Sequence, residues 1–225
     1  MVRKHIVSYG MCFSKRLYKI KSRTQAWRIP VLASQHLRGW DERRQAIVQA
    51  VDKAGRTRDL LARHGIACPT VTGAGTGSFE FEAASGLYTE LQCGSYIFMD
   101  ADYGRNRDRD GGPFKTFEPS LFVWTTVMSR PAEDRAIVDA GLKALAFDSG
   151  RPLVCDEPAA TYERASDEHG RLAVSAATNR LGLGDKIRLI AGHCDPTVNL
   201  YDWYVCVRGK RVEQVWPITA RGAVY

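Results

Sequence analysis

The sequence predicts an α/β segment followed by a mostly antiparallel β domain. Residues 33–118 contain one long helical pattern and then short apolar strands that run into glycine-rich loops, which is the order of parallel βα units. Residues 119–225 contain strand-like stretches separated by polar turns. Residues 1–32 differ in composition from both. We therefore divide the chain at these boundaries.

Residues 1–32 are strongly basic. They contain eight Lys and Arg and no acidic residue, so the rest of the chain, with 24 basic and 25 acidic residues, is almost neutral despite the net charge of +7. A nucleic-acid-binding face would have to lie on this segment, which has no recognisable groove-reading motif, and we expect no nucleic-acid partner. Three interpretations stay open: a disordered basic arm, an Arg-rich transit peptide, or sequence foreign to the domain that follows.

The composition is that of an ordinary globular protein, with 44% hydrophobic and 25% charged residues. No apolar stretch approaches the roughly 18 residues of a transmembrane helix, so we expect no membrane partner. The six cysteines form no CxxC pair, which predicts reduced thiols and a cytoplasmic location. They are Cys12, Cys68, Cys93, Cys155, Cys194 and Cys206.

The stretch "WDERRQAIVQAVDKAGRTRDLLARHG" predicts a helix. Asp41 is the expected N-cap, and Gly65 is the expected stop just beyond the last turn. One face carries apolar residues at near-helical spacing, namely Ile47, Ala50, Val51, Ala54 and Leu61.

Two glycine loops follow the helix. "IACPTVTG" is a predicted strand that leads into "TGAGTGS", and "YTELQ" is a second that leads into "CGSY". Small residues at the ends of adjacent parallel strands expose backbone N–H groups that suit a phosphate. Either loop alone is more simply a tight turn. Together they predict phosphate binding and turn formation with about equal weight.

The second half is predicted as strands, with "PAEDRAIVDAGLKAL" as its one helical pattern and "RGKRVEQVW" as a hairpin turn with its return strand. Near its end, "DKIRLIAG" leads into His193, Cys194 and Asp195. If the strand continues, alternation places His193 and Asp195 on one face and Cys194 on the other. The pair could hold a divalent ion such as Mn²⁺ or Zn²⁺, or form a simple hydrogen bond before Pro196.

Four long motifs resemble the D-threonine aldolase family: "TGAGTGSFEFEAASGLYTELQCGSYIFMDADYGRN", "SRPAEDRAIVDAGLKALAFDSGRP", "SDEHG" and "GHCDPTVNLYDWYVCVRGKRVEQVWPITARG". The resemblance runs from about Leu32 to the end of the chain. It implies the last βα units of an alanine-racemase-like (β/α)₈ barrel and a C-terminal β domain shared with eukaryotic-type D-serine dehydratases. It also implies pyridoxal phosphate and a divalent metal as cofactors.

The resemblance assigns site residues by position. Thr76, Gly94 and Ser95 would hold the cofactor phosphate, and His193 and Asp195 would hold the metal that binds the substrate hydroxyl. The dehydratase branch has His-x-Cys at this metal site, whereas this chain has His193-x-Asp195, which favours the aldolase branch. The implied substrates are β-hydroxy-D-amino acids, which are cleaved to glycine and an aldehyde. A homodimer is one assembly that the resemblance allows.

The family's Schiff-base lysine belongs to a strand near the N-terminus of its members. None of Lys4, Lys15 and Lys19 has that sequence context, nor does Lys21. We therefore assign no catalytic residue and expect a truncated copy with little activity alone. The alternatives are a dehydratase-like lyase, a non-catalytic remnant that binds metal or phosphate, and a nucleic-acid binder acting through its basic arm.

Overall fold

The computed structural model describes residues 34–155, 157–175 and 181–221, together with the backbone of two short strands, β1 (Ile6–Tyr9) and β2 (Trp27–Arg28). The rest of the predicted segment 1–32, with its basic side chains, lies outside the described residues. The chain divides into two units. The β unit comprises Met1–Met11, Ile97–Asp102 and Phe117–Tyr225, and the glycine-loop unit comprises Cys12–Tyr96 and Tyr103–Thr116. No helix among the described residues is long and apolar enough to cross a membrane.

The predicted long helix is present as α1 (Trp40–Arg63). Its N-cap is Gly39 instead of the predicted Asp41, which lies in the first turn, where its charge is favourable to the helix dipole. The C-terminal prediction is confirmed, because Gly65 has a φ of +73° and its N–H donates to Ala62 O at 3.0 Å. Ile66 N donates to Leu61 O at 3.0 Å, which completes a Schellman motif.

In the glycine-loop unit, α1 packs against strand β3 (Val71–Gly73) and the short helix α2 (Phe79–Ala84). Strand β3 pairs in parallel with β4 (Glu90–Leu91), with α2 between them in sequence. The predicted parallel pairing is confirmed. Ala54 of α1 packs with Val71, and Ile47 packs with Phe81. The apolar face of α1 therefore covers the elements that flank the glycine loop.

The β unit is built around one large sheet in the order β12-β11-β1-β5-β6-β9-β8, with β10 pairing to β5 and β7. All of these pairs are antiparallel except β1 with β11, which agrees with the predicted mostly antiparallel β domain. The strands after β4 are β5 (Leu121–Ala132), β6 (Arg135–Val138), β7 (Leu153–Val154), β8 (Ala160–Ala165), β9 (Gly170–Val174), β10 (Lys186–Ile190), β11 (Trp203–Arg208) and β12 (Arg211–Pro217). The predicted hairpin is confirmed as β11 and β12.

The helix predicted for "PAEDRAIVDAGLKAL" is wrong. Strand β5 continues to Ala132, which pairs with Arg135 of β6 across a two-residue turn. Ala136 and Val138 are completely buried, while Arg135 and Ile137, which alternate with them, are half-buried. This alternation is the period of a strand. Burial in the sheet core therefore overrides the helical propensity of the stretch.

Candidate functional site

The first glycine loop is an ordered turn between β3 and α2. The N–H groups of Ser78 and Phe79 both donate to Gly75 O, at 3.1 and 3.0 Å. In return, Gly75 N donates to Ser78 Oγ at 3.2 Å. Ala74, at the start of the turn, has a φ of 65°, a conformation that a residue with a Cβ adopts only under constraint. These hydrogen bonds therefore hold the loop in one conformation without a ligand.

Two of the glycines in this loop are required by close packing. A Cβ at position 75 would overlap the side chain of Gln35, and a Cβ at position 77 would overlap the main-chain oxygen of Gln35. Gln35 is fixed in turn, because Asn106 Nδ2 donates to its carbonyl at 3.0 Å. The tight-turn interpretation thus explains Gly75 and Gly77 without a ligand. It does not explain Thr76.

Thr76 is the loop residue with spare hydrogen-bonding capacity. It is 1% exposed, and its Oγ1 is buried without a hydrogen-bond partner among the described residues. A buried hydroxyl without a partner is costly, and such atoms often mark the place of a ligand or an ordered water. The loop therefore offers one hydroxyl donor of the kind that a phosphate oxygen accepts.

The second glycine loop begins beside the first. Gln92 N donates to Gly73 O at 2.6 Å, so the two loops leave adjacent strands at neighbouring positions, as predicted. Gly94 has open space where a Cβ would lie. Ser95 is 7% exposed and begins a short 3₁₀ turn, Ser95–Ile97.

A buried carboxyl supports the first loop from the α2 side. Ser78 Oγ donates to Glu82 Oε1 at 3.1 Å, and the other oxygen, Oε2, is buried without a partner among the described residues. Burial raises the pKa of Glu82 to about 7, partly offset by the hydrogen bond from Ser78. Burial also raises the pKa of Tyr88 and of Cys93, with a further contribution from the Glu82 charge. Sequence reasoning did not single out Glu82.

The predicted metal pair lies in the β unit, at the end of β10. The strand ends at Ile190, and Asp195 lies in the first turn of a short helix, α3 (Cys194–Val198), with His193 as its N-cap. The strand therefore does not continue to Asp195, which was the condition for the predicted alternation, because Pro196, which fits the first turn of a helix, follows at once. His193 Nε2 nevertheless lies 3.8 Å from Asp195 Oδ2.

Two ligands each about 2.1 Å from one ion are at most about 4.2 Å apart, so the separation of His193 Nε2 and Asp195 Oδ2 is compatible with a shared ion. Both side chains reach solvent, at 30% and 69% exposed. The described residues contain no cluster of three or more His, Cys, Asp or Glu side chains with metal-binding geometry. The pair fits a metal whose remaining positions are filled by water or substrate.

Cys194 differs from its two neighbours by being completely buried. Its backbone N–H donates to Asp100 Oδ2 at 3.1 Å, and its side chain belongs to the hydrophobic core of the β unit. The thiol also lies 3.5 Å from Asp195 Oδ1, as a weak donor. The described cysteines, which exclude Cys12, all carry free thiols.

Sequence reasoning missed the partner of His193. The Nδ1 atom of His193 lies 2.6 Å from Asp148 Oδ2 and 3.3 Å from Ser149 Oγ. Burial disfavours the charged form of Asp148, but hydrogen bonds from His193 and Ser149 outweigh it and lower the pKa of Asp148. The only sequence signal was the stretch "FDSGRP", which carries the family resemblance without indicating this contact.

Comparisons with known proteins point to the same family as the sequence motifs. The family model described as "Putative serine dehydratase domain" matches residues 120–207. A D-threonine aldolase from Arthrobacter sp. is 51% identical over 188 residues, which are 84% of this chain and 49% of that protein. A 3-hydroxy-D-aspartate aldolase from Paracoccus denitrificans is 47% identical over 195 residues, 86% of this chain and 50% of the relative.

A solved structure of D-threonine aldolase from Filomicrobium marinum is also similar, with a TM-score of 0.83 and 45% identity over 88% of this chain and 53% of that one. The resemblance to the D-threonine aldolase family is confirmed. The chain spans about half the length of the D-threonine aldolase relatives that it matches. Within that half, it carries the glycine loops and the His193–Asp195 pair described above.

Proposed function

We propose that the chain is a D-threonine aldolase-like lyase that takes part in cleaving β-hydroxy-D-amino acids to glycine and an aldehyde. The observation that carries the proposal is the approach of His193 Nε2 to Asp195 Oδ2, 3.8 Å apart, in a chain about half identical to two aldolases. An imidazole and a carboxylate form a mixed N,O ligand pair that suits Mn²⁺ or Zn²⁺.

The glycine-loop unit is the proposed holder of the cofactor phosphate. Thr76 Oγ1 has a hydrogen-bond donor that no described protein atom uses, and Gly94 has no neighbouring atom where a Cβ would lie. Together with Ser95, these residues offer uncharged donors at the ends of two parallel strands, which favour a phosphate monoester such as pyridoxal phosphate. We further propose that this unit represents the last βα units of a (β/α)₈ barrel. We also propose that residues 33–118 form the barrel part of the chain and residues 119–225 its C-terminal β domain.

The residues of this chain have separable roles in the proposed reaction. Thr76 and Ser95 would donate hydrogen bonds to phosphate oxygens. His193 would bind a metal through Nε2 and Asp195 through a carboxylate oxygen, leaving other positions for the substrate hydroxyl. A bound cofactor would accept the electrons of the breaking Cα–Cβ bond, while a bound metal would lower the pKa of the β-hydroxyl that becomes the aldehyde.

Two alternative functions are each supported by a specific observation. The family model that matches residues 120–207 is named for serine dehydratase, which favours a lyase that releases ammonia and a 2-oxo acid. A chain spanning half of its relatives could also bind metal or phosphate without catalysis. The proposed substrates are D-threonine and 3-hydroxy-D-aspartate, after the names of the two relatives.

The experiment mixes the full chain with the half of the Arthrobacter relative that it does not match, and adds pyridoxal phosphate, Mn²⁺ and D-threonine. We expect glycine and acetaldehyde in equal amounts, and neither product when the chain carries His193→Ala. Formation of ammonia and 2-oxobutanoate would contradict the aldolase proposal and support the dehydratase alternative. If the chain binds Mn²⁺ and phosphate but neither pair of products forms, the result would support the alternative of a non-catalytic binding protein.

A further inference from the structure

The imidazole of His193 has different surroundings at its two nitrogens. Asp148 Oδ2 lies 2.6 Å from Nδ1, within hydrogen-bonding distance, whereas Asp195 Oδ2 lies 3.8 Å from Nε2, which is too far for a hydrogen bond. Asp148 and Asp195 thus occupy opposite edges of the same ring. Only one of the two carboxylates can hold the ring by a direct hydrogen bond.

The chemistry at Nδ1 decides which nitrogen carries the proton. An ionised carboxylate can only accept hydrogen bonds, so Nδ1 must be the donor to Asp148. The Ser149 hydroxyl donates to the same Asp148 oxygen at 3.0 Å, so its own oxygen, 3.3 Å from Nδ1, faces the ring as a second acceptor. The groups around Nδ1 therefore favour a proton on that nitrogen, and a neutral imidazole then has its lone pair on Nε2.

We propose that Asp148 is a positioning residue that keeps the proton of His193 on Nδ1 and so presents the Nε2 lone pair toward Asp195. The inference rests on the proposed function in that it assigns Nε2 to a divalent metal. Metal-binding histidines commonly donate their second N–H to a carboxylate, which fixes the tautomer and the ring orientation. Asp148 and His193 are 53% and 30% exposed, so their hydrogen bond adds little to stability and its effect is on orientation.

The test measures the tautomer directly and needs no metal. The full chain, labelled with ¹⁵N-histidine, is studied by long-range ¹H–¹⁵N NMR at about pH 8.5, above the ordinary histidine pKa of about 6.5. The chain has five histidines, and the His193→Gln variant identifies the signals of His193. We expect the Nδ1–H tautomer in the unmodified chain and in Asp148→Asn, whose amide oxygen can still accept. We expect a shift toward Nε2–H in Asp148→Ala.

A metal titration is the second readout. We expect Asp148→Ala to weaken Mn²⁺ binding by about 10–100-fold, and Asp148→Asn to weaken it less. The control is Asp134→Ala, which removes an exposed carboxylate from the same unit and should leave Mn²⁺ affinity unchanged. If the unmodified chain binds no Mn²⁺, the proposed function fails while the NMR result still decides the role of Asp148. An Nε2–H tautomer in the unmodified chain, or an unchanged tautomer in Asp148→Ala, overturns the inference.

Discussion

The Ser78 hydroxyl donates a 3.1 Å hydrogen bond to Glu82 Oε1, and both side chains are completely buried. Because Ser78 Oγ also accepts from Gly75 N, the carboxyl of Glu82 is linked through one hydroxyl to the backbone of the glycine loop. The loop proposed to hold a phosphate is thus fixed from inside the protein by an acid that is itself hard to ionise.

Glu82 makes the stability of the chain depend on pH. Its pKa is about 7 in the folded chain and ordinarily 4.5, so the folded state binds the proton more tightly than the unfolded state. Its contribution is therefore fully present below about pH 4.5, decreases as the pH rises toward 7 and stays lost above that. We expect a loss on the order of 3 kcal/mol in the free energy of unfolding between pH 4 and pH 8.

Urea unfolding at both pH values measures this contribution. Glu82→Gln should lack most of the decrease, because its amide does not ionise while its oxygen still accepts from Ser78. Glu80→Gln, an exposed change on the same helix, should behave like the unmodified chain. Equal pH dependence in all three proteins would show that Glu82 is ionised at no cost in the folded chain.

Arg43 is expected to be one of the most sensitive positions in the glycine-loop unit. Its guanidinium is completely buried and donates to the carbonyls of Leu37 and Arg107, both at 2.8 Å. Arg43→Ala leaves these carbonyls without their donor and opens a cavity, at a cost of about 3 kcal/mol or more. Arg56→Ala on the exposed side of α1 should cost at most about 0.5 kcal/mol. Thermal unfolding of the two variants makes the comparison.

Gly77 and Gly94 should respond differently to the same substitution. Gly77→Ala places a Cβ against the main-chain oxygen of Gln35, which cannot move aside, and should destabilise the chain by about 1–3 kcal/mol. Gly94→Ala meets no atom within 4 Å and should change stability by less than about 0.5 kcal/mol. Chemical denaturation measures both. A loss of pyridoxal phosphate binding in Gly94→Ala would then report on the site, since the fold is intact.

Substitutions can test whether His193 and Asp195, and not Cys194 between them, bind the metal. His193→Ala and Asp195→Ala should each abolish Mn²⁺ binding, because one remaining protein ligand cannot compete with bulk water. Cys194→Ala should leave the affinity nearly unchanged and cost about 1 kcal/mol of stability for the lost buried thiol. Isothermal titration with Mn²⁺ decides the matter. If Cys194→Ala loses the metal while Asp195→Ala keeps it, the site is a zinc–thiolate centre of another geometry.

Local patterns were enough to predict several elements of the fold. The helical period of the stretch from Trp40 and the stop at Gly65 depend on neighbouring residues along the chain, and both were correct apart from the N-cap. The parallel strands β3 and β4 and the hairpin of β11 and β12 also follow from short apolar runs bounded by glycine. In each of these cases the deciding interactions lie within a few residues or between successive strands.

Tertiary structure decided the remainder, because the deciding contacts join residues far apart in sequence. Ala136 and Val138 form a strand since the sheet core buries them, against the helical pattern of their own stretch. His193 and Asp195 were predicted as a pair from their spacing, yet their approach depends on the helix that begins at Cys194. The contact of His193 with Asp148, 45 positions away, has no local signature, since only folding brings the two side chains together.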